Sequence, residues 1–269
     1  MSMKQYLKEN EVLCDLQKNG LQILQSPERF CFGIDAVLLA AFAAGQSGAH
    51  GKDGRGVPAP VTENARVLDL CTGTGIVPIL LSARTKAAHL TGLEIQEDSA
   101  EMARRSVALN GLQDRIEIVT GDVRGLSQIC EKGSYDAVTC NPPYMPAGAG
   151  LQNPESPLAI ARHEVLCSFE EIAAGAAHVL KPGGHLCLVH RPFRLPELMD
   201  TLKRYKLEPK CMQLVSPYAD REPNLVLLDC VLQGRPYLRV GPQLVVYDSP
   251  GHYTKMTQEI YGDGPGQDG

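Results

Sequence analysis

The chain has 269 residues, 43% of them apolar, which is ample for one large domain with a buried core, and no apolar run approaches the ~18 residues of a membrane span. A formal net charge of −5 argues against wholesale affinity for nucleic acid, although the charge is unevenly spread. Nine cysteines, an odd number with no Cys-x-x-Cys pair or histidine-ligand spacing, read as reduced thiols in a cytoplasmic protein without structural zinc or another metal.

In chain order, Val12 to Gln17 and Leu21 to Gln25 alternate apolar and polar residues around Asn19-Gly20, the signal of a two-residue hairpin. Asp35 to Ala44 reads as an amphipathic helix that Asp35 is placed to cap. Gly45 to Asn64 is dense in Gly, Pro, Ser and Asn, lacks periodicity and is expected to be a flexible surface insertion. Strand-like and helical patterns then alternate: strands near 66–71, 89–94, 115–119, 135–140 and 184–190, helices near 76–85, 97–109, 124–131, 168–180 and 194–206. Such alternation specifies an α/β fold, a parallel sheet with helices on both faces. Lys181-Pro182-Gly183-Gly184 is a helix-stopping turn before the fifth strand, and runs at 210–216 and 224–233 end the sheet. Residues 237–247 are a candidate edge strand, and Gly262 to Gly269 are expected to be a disordered tail.

Two motifs carry chemistry. The apolar run Arg66 to Cys71 leads into Thr72-Gly73-Thr74-Gly75 and then into a helical pattern, the order that sets backbone amides and a helix N-terminus against a ligand. Glu94, 19 residues past Gly75, ends the next strand near the spacing at which a carboxylate meets ribose hydroxyls, which implies a nucleoside-containing cofactor. Pro78 stands where a dinucleotide fingerprint has its third glycine. Asp122 closes a third strand, where it either reads a purine amine or caps a turn.

The second motif is Asn141-Pro142-Pro143-Tyr144, directly after the strand 135–140. A conjugated amine is a poor nucleophile and needs two acceptors for its N–H groups. The side-chain oxygen of Asn141 supplies one, and the free carbonyl of Pro142 the other. Pro143 stiffens the turn, and the ring of Tyr144 offers a stacking face worth roughly 1–3 kcal/mol to a base. Read without the rest of the chain, a plain Pro-Pro turn is the lesser alternative.

Asp69-x-Cys71-x-Gly73-x-Gly75, Glu94, Asp122 and Asn141-Pro142-Pro143-Tyr144, taken in order, resemble the class I methyltransferases that use S-adenosylmethionine. The resemblance covers roughly residues 10 to 248. It implies a Rossmann-like, seven-stranded, mostly parallel sheet with an antiparallel last strand or strands and a small N-terminal hairpin. It also implies that Asp69, Thr72, Gly73 and Gly75 surround the methionine part of the cofactor, Glu94 the ribose and Asp122 the adenine, with Asn141 against both cofactor and acceptor amine. More narrowly, Arg29 to Leu39, Asp69 to Leu81 and Arg162-His163-Glu164 look like the bacterial family that methylates an adenosine amine beside the anticodon of valine tRNA. That likeness implies that Phe30 and Asp35 close over the cofactor and that tRNA is the partner. The chain then divides into 1–44 (hairpin and closing helix), 45–64 (insertion), 65–248 (methyltransferase core) and 249–269 (tail, partly disordered).

Met145 to Cys167 is a long connection expected to order over the acceptor; its Arg162, His163 and Glu164 either touch substrate or form a local salt bridge. Lys181 to Cys211 holds seven basic residues against three acidic ones, either a solvated helix face or an RNA-facing patch. A protein glutamine side chain, as in release-factor methyltransferases, also presents a planar NH₂ and remains an alternative acceptor, as does another RNA. A non-catalytic binding module is a third reading. The sequence carries no sign of oligomeric state.

Overall fold

The structure, a computed structural model, describes residues 6–27, 33–50, 57–142 and 167–262. Strands β1 (Val12–Asp15) and β2 (Gln22–Gln25) form the antiparallel N-terminal hairpin. At its tip Asn19 and Gly20 take φ of 52° and 68°, and the Leu21 N–H donates to the Lys18 carbonyl at 2.9 Å, so the Asn-Gly turn closes as its residues favour. The first strand stops at Asp15 rather than Gln17. Gln17 itself turns left-handed, φ 52°, and donates its N–H to Asp15 Oδ1 at 2.7 Å.

The core sheet comprises β3 (Arg66–Leu70), β4 (His89–Glu94), β5 (Ile116–Thr120), β6 (Tyr135–Cys140), β7 (Leu180–His190), β8 (Leu207–Ser216) and β9 (Leu225–Leu232). They lie in the order β8-β9-β7-β6-β3-β4-β5, and β10 (Arg239–Val240) and β11 (Leu244–Val245) extend the outer side of β8, giving a 9-stranded sheet among the described residues. Within the seven core strands β9 alone runs antiparallel to its neighbours. The candidate edge strand 237–247 splits in two, because Gly241 still donates to the Met212 carbonyl while Pro242 has no N–H to give. Lys181 to Gly184 do not precede the fifth strand but bulge out within it. Leu180 stands opposite Tyr135 and His185 opposite Ala137, with Gly183 at φ 82°.

The α-helices among the described residues are α1 (Ile34–Ala43), α2 (Ile76–Arg84), α3 (Glu97–Leu109), α4 (Leu126–Ile129), α5 (Phe169–Val179), α6 (Leu195–Arg204) and α7 (Lys255–Tyr261). The sheet's two faces bury separate apolar clusters: Phe42, Ile79, Leu80 and Val67 with α1, α2 and α3, and Leu68, Leu70, Phe169 and Leu198 with α5 and α6. Val67 falls on one side and Leu68 and Leu70 on the other, as the two-residue period of a strand requires. The hairpin docks on α3: Asn110 accepts the Gln22 N–H at 2.9 Å, and Arg105 holds the Glu11 carboxylate through two 2.6 Å bonds. Helix α1 begins one residue earlier than expected. Gly33 is its N-cap, so Asp35 sits in the first turn, where a negative charge meets the positive end of the helix, and does not cap it.

Two stretches expected at the surface contribute to the core. Ser47, Ala49, His50, Val57 and Val61 are buried, so the described flanks of the 45–64 stretch are packed; residues 51–56 lie outside the described ones. Residues 249–262 end β12 (Tyr247–Ser249) and form β13 (His252–Tyr253) and α7, where Tyr247, Tyr253 and Tyr261 stack at 5.1 and 5.0 Å and Ile260 is buried. The anchor for the first stretch is polar: Asp229, fully buried in β9, faces His185 Nδ1 at 2.7 Å and His50 Nε2 at 3.3 Å.

Burial alone would push the Asp229 carboxyl up, but the two imidazoles outweigh it and hold its pKa below the ordinary 3.8. A depressed carboxylate contributes stability that is present above its unfolded value and lost as pH falls through the folded one. Asp229→Ala should therefore cost about 1–3 kcal/mol of unfolding free energy at neutral pH, because it leaves the buried His50 and the half-buried His185 without their acceptor. Urea titration checks this, and a loss under about 1 kcal/mol, the size of an exposed pair, would show that the network does not hold the fold.

Candidate functional site

Leu70 is in register with Leu93 on one side and Cys140 on the other, so the turn after β3, the end of β4 and the start of the segment after β6 emerge on the same edge of the sheet. Strand order reverses at β3, with β4 and β5 to one side and β6 and β7 to the other, which opens a crevice at a topological switch point.

The turn is shaped by backbone that few residues tolerate. Cys71, Gly73 and Gly75 all have positive φ, at 57°, 57° and 86°, and Gly75 is the left-handed N-cap of α2. Where a Cβ of Gly73 would stand, no heavy atom beyond its chain neighbours lies within 4 Å, so the turn borders open space that a ligand can enter. Pro78 falls in the first turn of α2, where its missing N–H costs no intrahelical bond. The Thr72 N–H donates to the Leu93 carbonyl at 3.0 Å and ties the turn to β4.

A buried carboxyl fastens the turn to β6. Asp69, 2% exposed, accepts from the Thr72 hydroxyl at 2.6 Å on one oxygen and from the Thr139 hydroxyl at 2.6 Å on the other. Burial pushes its pKa up to about 7; the two hydroxyls offset part of this, and the charge of Glu94 adds to it. Glu94, itself buried, accepts the Gly73 N–H at 2.8 Å and the Gln96 N–H at 3.0 Å. Burial raises its pKa as well, against the pull of those backbone donors. Asp69, Thr72, Gly73, Gly75 and Glu94 thus form one connected group, with Asp69 turned away from solvent and acting on the turn through Thr72.

On the neighbouring strand Asn141 is half-buried and Pro142 buried, directly past Cys140. Asp122 stands at the end of β5, two strands from the turn, and its geometry is that of a cap. Oδ1 accepts the Arg124 N–H at 2.9 Å, and Oδ2 holds the Arg124 guanidinium, whose hydrogen bonds lower the carboxyl pKa. Asp35 is buried on α1, and its charge is felt by Tyr261 of α7. Phe30, Pro143, Tyr144 and Arg162-His163-Glu164 lie outside the described residues.

Two contributors escaped the sequence reading. Thr139 is the register partner of Asp69 and shares a strand face with Asn141, a signal available only once β3 and β6 are known to be adjacent. The thiols of Cys71, Cys140 and Cys167 meet beneath the crevice. Contact with the Cys140 thiol and burial raise Cys71, burial raises Cys140, and contact with Cys71 raises Cys167, so all three stay protonated.

The family model for the methyltransferase small domain matches residues 58–205. A protein of Aeromonas salmonicida named tRNA1(Val) (adenine(37)-N6)-methyltransferase is 32% identical over 235 residues, covering 85% of this chain and 89% of the relative. One of the same name from Porphyromonas gingivalis is 28% identical over 241 residues, covering 85% and 88%. Among solved structures, a predicted O-methyltransferase from Agrobacterium tumefaciens superposes with a TM-score of 0.60 at 21% identity, covering 84% of this chain and 95% of that one, a likeness of fold.

The raised Asp69 carboxyl makes a signed prediction. Between its ordinary 3.8 and about 7 the native group holds its proton more tightly than the unfolded one, so it adds stability that is complete below 3.8 and lost as pH rises through about 7. Relative to Asp69→Asn, wild-type unfolding free energy should fall across that window by up to about 1.4 kcal/mol per pH unit. Urea midpoints of the two proteins at pH 5 and pH 8 measure it; a difference that does not change with pH would mean the carboxyl is ionised throughout.

Proposed function

The chain belongs to the methyltransferase small domain family, and we propose that its methyl acceptor is the exocyclic amine of an adenosine in tRNA, with S-adenosylmethionine as donor. The observation that carries this reading is the Asp69 bridge, which holds Thr72 of the glycine turn and Thr139 of β6 on one carboxyl and so sets the donor turn one strand from Asn141-Pro142. The names of the relatives from Aeromonas salmonicida and Porphyromonas gingivalis favour an adenosine of tRNA over a protein side chain.

The residues present fit the cofactor: open space beside Gly73, and a carboxylate at the end of β4 already in contact with that glycine's amide. Gly73 and Gly75 would border the methionine part and Glu94 would hold the ribose hydroxyls. Asp122 would lie toward the adenine, its Oδ2 reaching the ligand once Arg124 yields. When bound, S-adenosylmethionine supplies a methyl group already activated on a sulfonium. The chain's own contribution is position. Asn141 Oδ1 and the Pro142 carbonyl accept the two N–H groups of the amine, which holds the nitrogen in plane with its lone pair toward the crevice, a gain of the near-attack kind. No metal is called for by this chemistry, and the described residues contain no cluster of metal-binding side chains.

Incubation of the purified protein with S-adenosylmethionine and unmodified tRNA, followed by mass spectrometry of the nucleosides, should yield N6-methyladenosine. Label appearing in a protein glutamine and not in tRNA would overturn the reading. Asn141→Ala should lower turnover by about 100-fold or more while leaving cofactor affinity within about twofold, since the side chain acts on the acceptor. Glu94→Ala should weaken cofactor binding by about 10- to 100-fold through loss of charge-assisted hydrogen bonds, and an unchanged calorimetric Kd would remove Glu94 from the site.

A further inference from the structure

Five of the seven basic residues between Lys181 and Cys211 fall into two groups. Lys181 is paired with Asp136, Arg194 with Glu197, and Arg204 with Glu170 and Asp200, so those charges are spent within the protein. Lys206 and Lys210 have no acidic partner among the described residues, and the fold brings two more cations to them from later in the chain. The Gln233 N–H donates to the Lys206 carbonyl at 2.7 Å, Lys210 Nζ donates to the Arg235 carbonyl at 2.9 Å, and Arg239 is the register partner of Cys211.

Lys206, Lys210, Arg235 and Arg239 therefore surround one short stretch of sheet edge, where residues 206–211 and 233–240 contain a single carboxylate, Glu208. At the centre of the stretch Tyr237 is 66% exposed, with the Lys210 ammonium 5.6 Å from its ring centroid. Leu238 and Val240 are exposed beside it. In a chain of net charge −5 this is a local excess of three positive charges around an open aromatic ring. Cations set around an exposed ring are the pairing that holds a phosphodiester backbone and an unstacked base together, with the cation supporting the ring from one side.

The patch is not part of the acceptor site. Arg239 is level with Cys211, which is level through Asp229 and Cys187 with Thr139, two residues before Asn141, and β10 lies four strand spacings from β6. At roughly 3.3 Å per residue and roughly 4.8 Å per strand, that is about 20 Å from Asn141, beyond the reach of the nucleotide being methylated.

We propose that this edge of the sheet, formed by Lys206, Lys210, Arg235, Tyr237 and Arg239, is a second docking surface that grips the substrate RNA away from the methylated nucleotide, through its phosphates and one base stacked on Tyr237. The proposal rests on the tRNA reading above. It separates two substrates: a full tRNA reaches the patch, and a short anticodon stem–loop reaches only the acceptor site.

Binding of full-length tRNA to the double variant Lys206→Glu/Arg235→Glu, measured over a series of salt concentrations, tests it. The slope of log K against log salt should shrink by about 1.4–1.8, or roughly 0.7–0.9 for each lost phosphate contact, and affinity at low salt should fall at least about tenfold. Tyr237→Ala should weaken binding by about fivefold or more and Tyr237→Phe should restore it, because the ring does the stacking. Cofactor affinity by calorimetry and turnover on a short anticodon stem–loop should be unchanged in all three variants. Unchanged tRNA affinity and slope would overturn the proposal, as would equal losses on the stem–loop. Displacement of RNA by polyglutamate as effectively as by unlabelled tRNA would assign the surface to acidic polypeptides instead. A wild-type chain that methylates no tRNA would sink the functional reading, and this surface with it.

Discussion

The arrangement of the site depends on one carboxyl. Asp69 is buried, and taking a carboxylate out of water is costly unless its oxygens find donors. Both do, and each donor comes from a different motif: Thr72 begins the glycine turn and Thr139 precedes Asn141 by two residues. Because a strand repeats every two residues, fixing Thr139 against Asp69 also fixes the face from which Asn141 leaves β6. A displacement of either strand would leave an unsatisfied buried oxygen, so the register of β3 on β6 and the geometry of the turn are selected together.

Topology supplies the rest. The crossovers from β3 to β4 and from β5 to β6 place helices on opposite faces, and the reversal at β3 leaves the strand ends there uncovered by a connection. Glu94 fills one flank of that opening and holds the Gly73 amide. The proposed donor side is thereby preorganised by a bond from the turn's own backbone to a carboxylate that the Gln96 N–H already fixes, which leaves little to be ordered on binding. The same sheet carries its remaining buried charge, Asp229, two strands beyond β6, where its work is structural: it ties His50, and with it the stretch after α1, to the sheet.

Features set by neighbours in sequence were legible in it. The Asn19-Gly20 turn, the Thr72 to Gly75 turn with its following helix, and the alternation of strand and helix from residue 66 to 206 all follow from local backbone preference and periodicity, and the structure has them within a few residues. What failed to show was set at a distance or in competition. The 45–64 stretch has the composition of a surface loop, yet Ser47, Ala49 and His50 are buried because Asp229, 179 residues from His50, offers a partner. Thr139 looked like any β-branched strand residue until its register with Asp69 was known. Asp122 was open to two readings from sequence, and Arg124, two residues on, takes both oxygens in this structure. The order in 249–262 was the one local signal passed over: Thr254 N-caps α7 through the Thr257 N–H, a cap that Ser/Thr spacing announces.

The proton inventory around the proposed acceptor edge bears on how the transfer would end. His190 stands at the matching end of β7, the strand beside β6, and burial followed by the charge of Arg194 lowers its pKa to about 4. It is neutral at physiological pH, and its Nδ1 already accepts the Arg191 N–H at 2.8 Å. The three thiols beneath the crevice are held protonated, and both oxygens of Asp69 are taken by hydroxyls. Among the described residues this edge therefore holds acceptors for N–H groups but no free base of ordinary strength. That is the environment suited to an amine whose proton becomes acidic only as its bond to carbon forms: acceptors that orient it beforehand are needed, a strong base is not, and the proton leaves to water after the step that sets the rate.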